Sequence, residues 1–338
     1  MSHVPWSAEI VDPYNRKISY LRLSVTDRCN LRCIYCMAEG ATFIPKQYVL
    51  TLDELDWICA VFIKKGVKKI RITGGEPFMR KNIITLFQKL GRHLKTDALH
   101  ELAVTTNGSQ LSHYARELFE CGVRRINVSL DTLDQYKYSK ITRYGDLSKV
   151  LYGLEIAKSF GLKIKINTVV LKGFNDLEIN DLIYFAHDHG FDLTLIEKMP
   201  LGNKDSQKND QYLSVSQLRN NLSKSWRFED ISYRSGGPAS FVKVRETGGR
   251  LGFITPITNN FCIGCNRIRL SCTGKVYTCL GRKNAYDLGA LIRTSTTQEV
   301  LDAAIDEAIK QKPKGHYFAF NNVVKSNLTY RDMNSIGG

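Results

Sequence analysis

Residues 18–36 read ISYLRLSVTDRCNLRCIYC, and the architecture of the chain can be inferred outward from them. Residues 18–26 alternate apolar and polar side chains, a pattern that predicts a β-strand. Cys29, Cys33 and Cys36 follow directly, in a loop that is otherwise rich in polar residues. The stretch therefore predicts a strand that presents three thiols at its carboxyl end.

The order of strand and helix then repeats over about two hundred residues. Thr51 and Glu54 form a capping-box pattern, which predicts a helix that ends near Gly66. Further strands are predicted at 67–73, 101–106, 124–129, 162–170 and 191–197, and helices at 82–95, 109–121, 146–160 and 176–189. Six β-α units imply a parallel sheet, as an open sheet or an incomplete barrel, with its chemistry at the carboxyl ends of the strands.

The pattern changes after residue 200, where polar and turn-rich segments replace the regular alternation. A helix is predicted at 296–312, near the end of this second region. We divide the chain into a first domain at 1–200, a C-terminal region at 201–325 and a tail at 326–338.

Length and composition indicate a globular protein of about two domains, since 43% of its 338 residues are hydrophobic and 24% are charged. No apolar run approaches the roughly 20 residues needed to span a bilayer, and the N-terminus lacks the pattern of a signal peptide. We therefore expect a cytoplasmic protein with no membrane partner. Nine cysteines in a reducing compartment indicate metal ligation or catalysis rather than disulfides.

The formal net charge is +15, which indicates an anionic partner. Nucleic acid, a membrane surface and a phosphorylated small molecule all meet that description. Charge alone does not choose among them.

The first cysteine group, Cys29, Cys33 and Cys36, is too dense to be accidental, since such spacing would arise by chance about 0.006 times in this chain. Three thiolates are one fewer than the four that close a structural zinc site or saturate an iron-sulfur cluster. If the metal is a cubane cluster, one iron stays open to a further ligand. Buried thiols, or a zinc ion with a distant fourth ligand, are the alternatives.

This spacing, with Tyr35 between the last two cysteines, resembles the signature of the radical S-adenosylmethionine (SAM) enzymes, in which SAM chelates the open iron of a 4Fe-4S cluster. Later segments are similar to motifs of the same superfamily: Gly-Gly-Glu-Pro at 74–77, Thr-Thr-Asn-Gly at 105–108, Asn-Val-Ser-Leu-Asp at 127–131 and Ile-Glu-Lys-Met-Pro at 196–200. The resemblance implies an α/β fold, an incomplete (βα)6 TIM-type barrel that the C-terminal region closes. It also implies SAM contacts from Tyr35, Gly75, Ser129 and Met199.

A second cysteine group consists of Cys262, Cys265 and Cys279. Residues 272–277 between its members predict a hairpin with Gly274 in the turn. Cys272 leaves two interpretations open, because it could be the fourth ligand of a closed zinc site or structural cluster.

Basic residues surround this second group and also the second predicted strand. Residues 259–284 contain five cations and no acid, which favours an anion as the facing ligand. In the second strand, alternation places Lys69 and Arg71 on one face, and we interpret them as functional rather than as part of a solvated surface.

The two cysteine groups together, with Cys-Asn-Arg-Ile-Arg at 265–269 and the terminal Ile-Gly-Gly, resemble a narrower family, the GTP 3',8-cyclases of molybdenum cofactor biosynthesis. The resemblance implies a second 4Fe-4S cluster whose open iron binds the guanine of GTP, so Cys272 would be no ligand. It implies GTP contacts from Arg22, Lys69, Arg71, Thr105, Lys165, Arg267, Ile268 and Arg269. Catalytic roles are implied for Arg267 and Arg269, and for Gly337 and Gly338 in a tail that enters the active site.

The reaction implied by this resemblance converts GTP into (8S)-3',8-cyclo-7,8-dihydroguanosine 5'-triphosphate. A reduced cluster cleaves SAM, the 5'-deoxyadenosyl radical removes the 3' hydrogen of GTP, and the ribose radical adds to C8 of guanine. A further electron and a proton complete the product. The resemblance further implies an external one-electron donor, a homodimer and a downstream cyclic pyranopterin monophosphate synthase, with no role for nucleic acid.

The chain departs from the family pattern at two positions. Ala38 stands where the family commonly has proline, and Thr194 stands where it has an arginine on the sixth strand. Loss of that arginine would weaken triphosphate binding unless another cation, such as Lys198, replaces it.

Two other classes of protein also fit part of the pattern. A radical SAM enzyme acting on RNA or a peptide would share the N-terminal motifs, and a non-enzymatic zinc protein could bind nucleic acid through the positive charge.

Overall fold

The computed structural model describes residues 9–37, 40–199, 211–258, 261–282, 284–294, 297–316 and 333–337. The predicted boundary at 200–201, Ala38, most of the tail, Gly338 and the predicted helix start at 296 lie outside these residues.

The N-terminal part of the chain alternates strand and helix, as predicted. Its strands are β1 (Tyr20–Ser24), β2 (Lys69–Thr73), β3 (Glu101–Thr106), β4 (Arg125–Ser129), β5 (Lys163–Val170) and β6 (Asp192–Glu197). Its helices are α1 (Leu52–Lys64), α2 (Ile83–Lys95), α3 (Leu111–Glu120), α4 (Gln135–Thr142), α5 (Leu147–Ser159) and α6 (Ile179–Asp188), with short 3₁₀ helices at Lys46–Tyr48 and Pro77–Met79. The predicted capping box is present at the start of α1, where Thr51 and Glu54 each bind the backbone of the other.

Helix α4 was not predicted. Its N-cap is Asp134, whose side chain accepts a hydrogen bond from the backbone N–H of Lys137 over 2.8 Å. An aspartate cap of this kind is a readable signal for a helix start.

The C-terminal region contains both helices and short strands. They are α7 (Val215–Leu222), β7 (Phe228–Asp230), β8 (Ser240–Val244), β9 (Arg250–Ile254), β10 (Arg267–Leu270), β11 (Lys275–Tyr277), β12 (Tyr286–Asp287), α8 (Leu288–Arg293), α9 (Gln298–Lys310) and α10 (Met333–Ile336). Gly274, with φ at +84°, lies in the turn between β10 and β11, so the predicted hairpin is confirmed. Across the described ranges, every helix falls short of the length and apolar character that crossing a bilayer requires.

Within the described residues, twelve strands form one sheet in the order β12-β11-β10-β1-β2-β3-β4-β5-β6-β9-β8-β7. Strands β1 to β6 are parallel neighbours in sequence order, which is the arrangement of an incomplete barrel. The C-terminal strands extend this sheet at both edges, because β10 pairs in parallel with β1 and β9 pairs in parallel with β6. Both parts of the chain therefore contribute residues to the same faces of one sheet.

The two faces of the parallel strands have opposite character. One face carries aliphatic side chains, such as Leu21, Leu23, Ile70 and Ile72, which are buried in the main hydrophobic core with the helices. Successive residues of a strand point to opposite faces. The other face therefore carries the alternate residues, which are largely polar, and this face forms the candidate site.

Candidate active site

The first cysteine group lies in the loop after β1, as predicted. The sulfur of Cys29 accepts hydrogen bonds from the backbone N–H of Leu31 (3.4 Å) and from Nδ2 of Asn107 (3.9 Å). A turn brings the N–H of Cys36 to the carbonyl of Cys33 over 2.9 Å. Burial raises the pKa of Cys29 to about 11, and burial together with the neighbouring thiols raises the pKa of Cys33 well above its usual value.

A 4Fe-4S cluster suits the chemistry of this donor set. Burial, and then the charges of Cys36 and Cys29, disfavour ionisation of the Cys33 thiol, and such a thiol becomes a good ligand when a positive metal centre balances the charge. Among the described residues, no group of three or more His, Cys, Asp or Glu side chains is arranged to hold a single metal ion. A four-iron cluster makes a different demand, since each of its thiolates binds a separate iron atom.

The Gly-Gly-Glu-Pro turn packs directly against the start of the cysteine loop. The N–H of Gly75 donates to the carbonyl of Thr26 over 2.7 Å, and a Cβ on Gly75 would lie 2.4 Å from the carbonyl oxygen of Arg28. Only glycine allows this approach of two backbones. Gly75 therefore fixes the position of the turn relative to the first cysteine group.

Glu76 links the ends of β2 and β3. Its buried carboxylate accepts hydrogen bonds from Thr106 Oγ1 (2.8 Å), the N–H of Asn107 (2.7 Å) and the N–H of Phe78 (3.2 Å). Burial raises the pKa of Glu76 to about 7. Because Asn107 also contacts Cys29, this network joins three of the motif segments at one end of the barrel.

The remaining predicted SAM residues lie at the carboxyl ends of later strands. Tyr35 donates its hydroxyl hydrogen to Asp131 Oδ2 over 2.5 Å, which ties the first cysteine loop to the end of β4. Ser129 pairs in register with Asn167 of β5, whose buried Oδ1 has no hydrogen-bond partner in the described part of the chain. Met199 lies just beyond β6.

Three arginines lie side by side across three parallel strands. Arg22 of β1 is in register with Arg71 of β2 on one side and with Arg269 of β10 on the other. Nε and Nη2 of Arg71 are buried and have no hydrogen-bond partner among the described residues. Burial lowers the pKa of each of these arginines, that of Arg22 to about 10. Buried guanidinium groups of like charge are costly without an anion, so this row is suited to bind one.

Tyr20 supports two cations of the same face. Its ring centroid lies 5.0 Å from Nζ of Lys69 and 5.5 Å from Cζ of Arg71. Burial acts to raise the pKa of Tyr20, but the charges of Arg71, Arg22 and Lys69 overcome this and lower it.

Lys69 was predicted to contact GTP, and the structure places it in an ion pair at the amino end of β2. Its ammonium donates to Glu101 Oε2 (2.8 Å) and to the carbonyl of Ser235 (2.7 Å), which also accepts from Nη2 of Arg125 (2.8 Å). Burial and the charge of Arg71 lower the pKa of Lys69 to about 8.

Lys165 and Thr105 also lie on the polar face. Burial, and then the charge of Arg71, lowers the pKa of Lys165 well below its usual value. Oγ1 of Thr105 is buried and has no hydrogen-bond partner within the described ranges. Both groups are therefore suited to a polar ligand.

Ile268 and Thr194 differ from the rest of the predicted set. The side chain of Ile268 lies in the hydrophobic core, so only its backbone can contact a ligand. Thr194, in the place of the family arginine, is buried beside Gly252, where a Cβ would come within 3.0 Å of its Oγ1. Lys198 is buried at the end of the same strand.

The second cysteine group lies beside β10, and two basic side chains contact the sulfur of one of its members. Nη2 of Arg267 lies 3.7 Å and Nζ of Lys312 lies 3.5 Å from the sulfur of Cys265. Burial acts to raise the pKa of Cys265, but Arg267 and Lys312 overcome it and lower the pKa to about 7. Burial, with a contribution from the charges of Cys262 and Cys265, raises the pKa of Cys279, so the three predicted ligands lie close to one another.

Cys272 lies elsewhere. It is fully buried, its carbonyl accepts from the N–H of Leu50 over 2.8 Å, and burial followed by the charge of Asp27 raises its pKa to about 12.

The described end of the tail lies between the first cysteine loop and β10. The N–H of Met333 donates to the carbonyl of Cys36 over 3.3 Å, and Nη1 of Arg269 donates to the carbonyl of Gly337. Gly337 has φ at +78°, and a Cβ there would lie 2.1 Å from Oγ1 of Thr73. The tail therefore reaches the polar face at a position that requires glycine.

Sequence reasoning missed several residues of the site, among them Tyr20, Asn107 and Lys312. Asn107 lies within a motif that was recognised, but its contact with Cys29 depends on the tertiary fold. Lys312 is the last residue of the predicted helix at 296–312 and lies just beyond the observed α9, and nothing in its local sequence indicates a sulfur contact.

The chain matches two family models that agree with this geometry. The model of the Radical SAM superfamily matches residues 23–186, and the model described as Molybdenum Cofactor Synthesis C matches residues 191–318. The fold and the first cysteine group thus define a protein of the radical SAM class, as the sequence indicated.

Comparison with curated relatives identifies the family within the radical SAM class. The chain is 56% identical to a GTP 3',8-cyclase of Rhizobium etli over 97% of its own length and 94% of that protein. It is 54% identical to one from Agrobacterium fabrum, over 98% and 95%. It is 56% identical to one from Brucella canis, over 97% and 96%. The chain belongs to the GTP 3',8-cyclase family.

Solved structures support the fold alone. The structure of Streptococcus suis SuiB bound to S-adenosylmethionine has a TM-score of 0.62 at 14% identity, over 90% of this chain and 74% of that one. SuiB bound to its precursor peptide SuiA has a TM-score of 0.63, also at 14% identity, over 89% and 67%.

Proposed function

We propose that the protein is a GTP 3',8-cyclase that converts GTP into (8S)-3',8-cyclo-7,8-dihydroguanosine 5'-triphosphate, an early step of molybdenum cofactor biosynthesis. The observation that carries the proposal is the row of Arg269, Arg22 and Arg71, which are adjacent in register on three parallel strands. A polyanion such as a triphosphate satisfies several buried guanidinium groups at once.

The cofactors proposed are two 4Fe-4S clusters and SAM. The residues that would hold the first cluster are Cys29, Cys33 and Cys36, and those that would hold the second are Cys262, Cys265 and Cys279. When bound, a reduced cluster and SAM supply a carbon radical able to remove a hydrogen atom from the ribose.

The chain's own residues position the reactants. Tyr35, Gly75, Ser129 and Met199 are proposed to contact SAM, at the carboxyl ends of β1, β2, β4 and β6. The proposed GTP contacts are Arg22, Lys69, Arg71, Thr105, Lys165, Arg267, Ile268 through its backbone, and Arg269.

Lys69 needs a rearrangement to fill this role, because its ammonium is bound to Glu101 and Ser235. A triphosphate would compete with the Glu101 carboxylate for it. Thr194 stands in the place of the family arginine, and its side chain is smaller and uncharged, so it would bind a triphosphate less strongly. Arg71, which has donors to spare, is therefore the strongest of the proposed triphosphate ligands.

The tail and Arg269 would act together. Arg269 binds the carbonyl of Gly337, so a proposed GTP ligand is also in direct contact with the tail. Gly337 and Gly338 are proposed to enter the site with GTP bound and to orient Arg267 and Arg269 toward the reacting nucleotide.

We propose domains at 1–200 and 201–325 with a tail at 326–338, a homodimer, a cytoplasmic location, an external one-electron donor and a downstream cyclic pyranopterin monophosphate synthase. Nucleic acid is not a proposed partner.

An assay of the reconstituted protein tests the function. Anaerobic protein with iron and sulfide restored is incubated with GTP, SAM and dithionite, and nucleotides are separated by chromatography with mass detection. The expected product is an isomer of GTP, because one hydrogen leaves C3' and one electron and one proton are added. Unchanged GTP beside tight, strongly salt-dependent RNA binding would favour the rival enzyme class.

A further inference from the structure

Lys312 is a buried lysine directly beyond helix α9, and all three of its donors are engaged. Its ammonium donates to the carbonyl of Thr278 (2.7 Å), the carbonyl of Arg267 (2.9 Å) and the sulfur of Cys265 (3.5 Å). Its residue exposure is 3%. The side chain thus connects β10 with the segment that leads into Cys279.

A buried ammonium is costly unless an anion balances it. The two carbonyls are neutral, and no carboxylate forms an ion pair with Lys312 among the residues that the structure describes. The remaining acceptor is the sulfur of Cys265, which becomes an anion when it binds iron. The position of Lys312 is therefore best explained by a thiolate.

A second contact holds the same segment in place. Nη1 of Arg16 donates to the carbonyls of Cys262 (2.7 Å) and Lys314 (2.9 Å), and its Nη2 donates to the carbonyl of Pro313 (2.6 Å). The segment after α9 is thus fixed to both ends of the Cys262–Cys265 pair. The ammonium of Lys312 has little freedom to move away from the sulfur.

Hydrogen bonds to the ligand sulfurs and the net charge around a cluster set its reduction potential. A cation that donates to a cysteine sulfur stabilises the more negative, reduced state. The effect of such a contact is therefore to raise the potential.

We propose that Lys312 is a positioning residue for the second cysteine group and that its hydrogen bond to Cys265 raises the reduction potential of the cluster bound there. The inference rests on the proposed function, since it needs a cluster at Cys262, Cys265 and Cys279. Lys312 itself has no proposed contact with SAM or GTP.

The test uses the full-length chain with Cys29, Cys33 and Cys36 changed to serine, so that only the second cluster can form. This parent and its variants are reconstituted anaerobically and assayed for iron and sulfide. Their potentials are measured by redox titration followed by electron paramagnetic resonance. Lys312→Met keeps the apolar stem and removes the charge and the donors.

The matched control is Lys310→Met. Lys310 lies two residues earlier, its side chain is 72% exposed, and it pairs with Glu307. At a solution potential near the parent's midpoint potential, Lys312→Met should lower the ratio of reduced to oxidised cluster about tenfold. This corresponds to a fall of about 59 mV in the reduction potential of a one-electron couple. Lys310→Met should leave the ratio unchanged.

Lys312→Gln keeps a neutral donor and should lower the reduction potential by less than Lys312→Met does. It also provides the test if Lys312→Met assembles no cluster. A loaded Lys312→Gln or Lys312→Met variant with the parent's potential would overturn the inference alone. A parent that binds no iron would overturn the proposed second cluster, and the inference with it.

Discussion

Arg269 and Gly337 meet across 68 positions of sequence, with Nη1 of the arginine donating to the glycine carbonyl. The contact brings Gly337 to β10, the strand that also carries Arg267, whose guanidinium lies beside Cys265. It gives the proposed role of the tail a direct contact on the polar face of the barrel.

Gly337→Ala should lower the turnover of GTP at least tenfold with unchanged iron content. The added methyl group would overlap Oγ1 of Thr73, and φ at +78° is unfavourable for alanine by about 1 kcal/mol. Steady-state assays of product measure the effect. Gly173→Ala is the control, because its φ is +71° but its Cβ would meet nothing within 4 Å.

Thr73→Ala added to Gly337→Ala should recover part of the lost turnover, since it removes the atom that the methyl group meets. If Gly337→Ala turns over GTP as fast as the unmodified protein, activity does not depend on glycine at position 337.

Arg71→Met should weaken GTP binding about 10-fold to 100-fold, because charge-assisted hydrogen bonds are worth about 1.5–3 kcal/mol each. The same change should leave the melting temperature unchanged or raise it, since it removes a buried charge with unsatisfied donors. Calorimetric titration and thermal unfolding measure the two effects. Arg116→Met, on an exposed ion pair of α3, should change neither. A large loss of stability in Arg71→Met would instead indicate a structural role.

The affinity for GTP should fall as the pH rises above about 8. Burial and Arg71 lower the pKa of Lys69 to about 8, so its ammonium loses its proton, and its attraction for phosphate, above that pH. The fall should approach tenfold per pH unit. Binding measured from pH 7 to 9.5 gives the profile, and Lys69→Arg should flatten it because a guanidinium stays charged. An identical profile in Lys69→Arg would exclude Lys69 as the titrating group.

Cys272→Ala should retain the iron of both clusters, whereas Cys279→Ala should lose roughly half of it. Cys272 lies by Leu50 and Asp27, while Cys279 lies near enough to Cys262 and Cys265 to be affected by their charges. Iron and sulfide analysis after reconstitution distinguishes them. Loss of iron in Cys272→Ala would support the closed four-thiol site.

Most of the N-terminal part of the fold could be predicted from sequence because its signals are local. Alternation in β1 to β6 and the capping box at Thr51 depend on neighbouring residues, and the predicted strand at 101–106 has the observed bounds. The C-terminal strands were not predicted to join the sheet. The pairing of Arg267 with Tyr20 links residues far apart in sequence, and no local pattern specifies it.

The same limit applies to the site. Residue types and spacing indicated the two cysteine groups and the cations of β2. They did not indicate that Lys69 would pair with Glu101 and Ser235, or that Lys312 would reach Cys265, because both contacts depend on how distant segments pack.

Transfer of deuterium from C3' of GTP tests the proposed reaction most directly. The reconstituted protein is incubated anaerobically with dithionite, unlabelled SAM and GTP deuterated at C3', and 5'-deoxyadenosine and the nucleotide product are analysed by mass spectrometry. We predict 5'-deoxyadenosine that carries one deuterium and a cyclised nucleotide that has lost it. Formation of 5'-deoxyadenosine without deuterium, beside a nucleotide that keeps its label, would contradict the assignment of this chain as a GTP 3',8-cyclase.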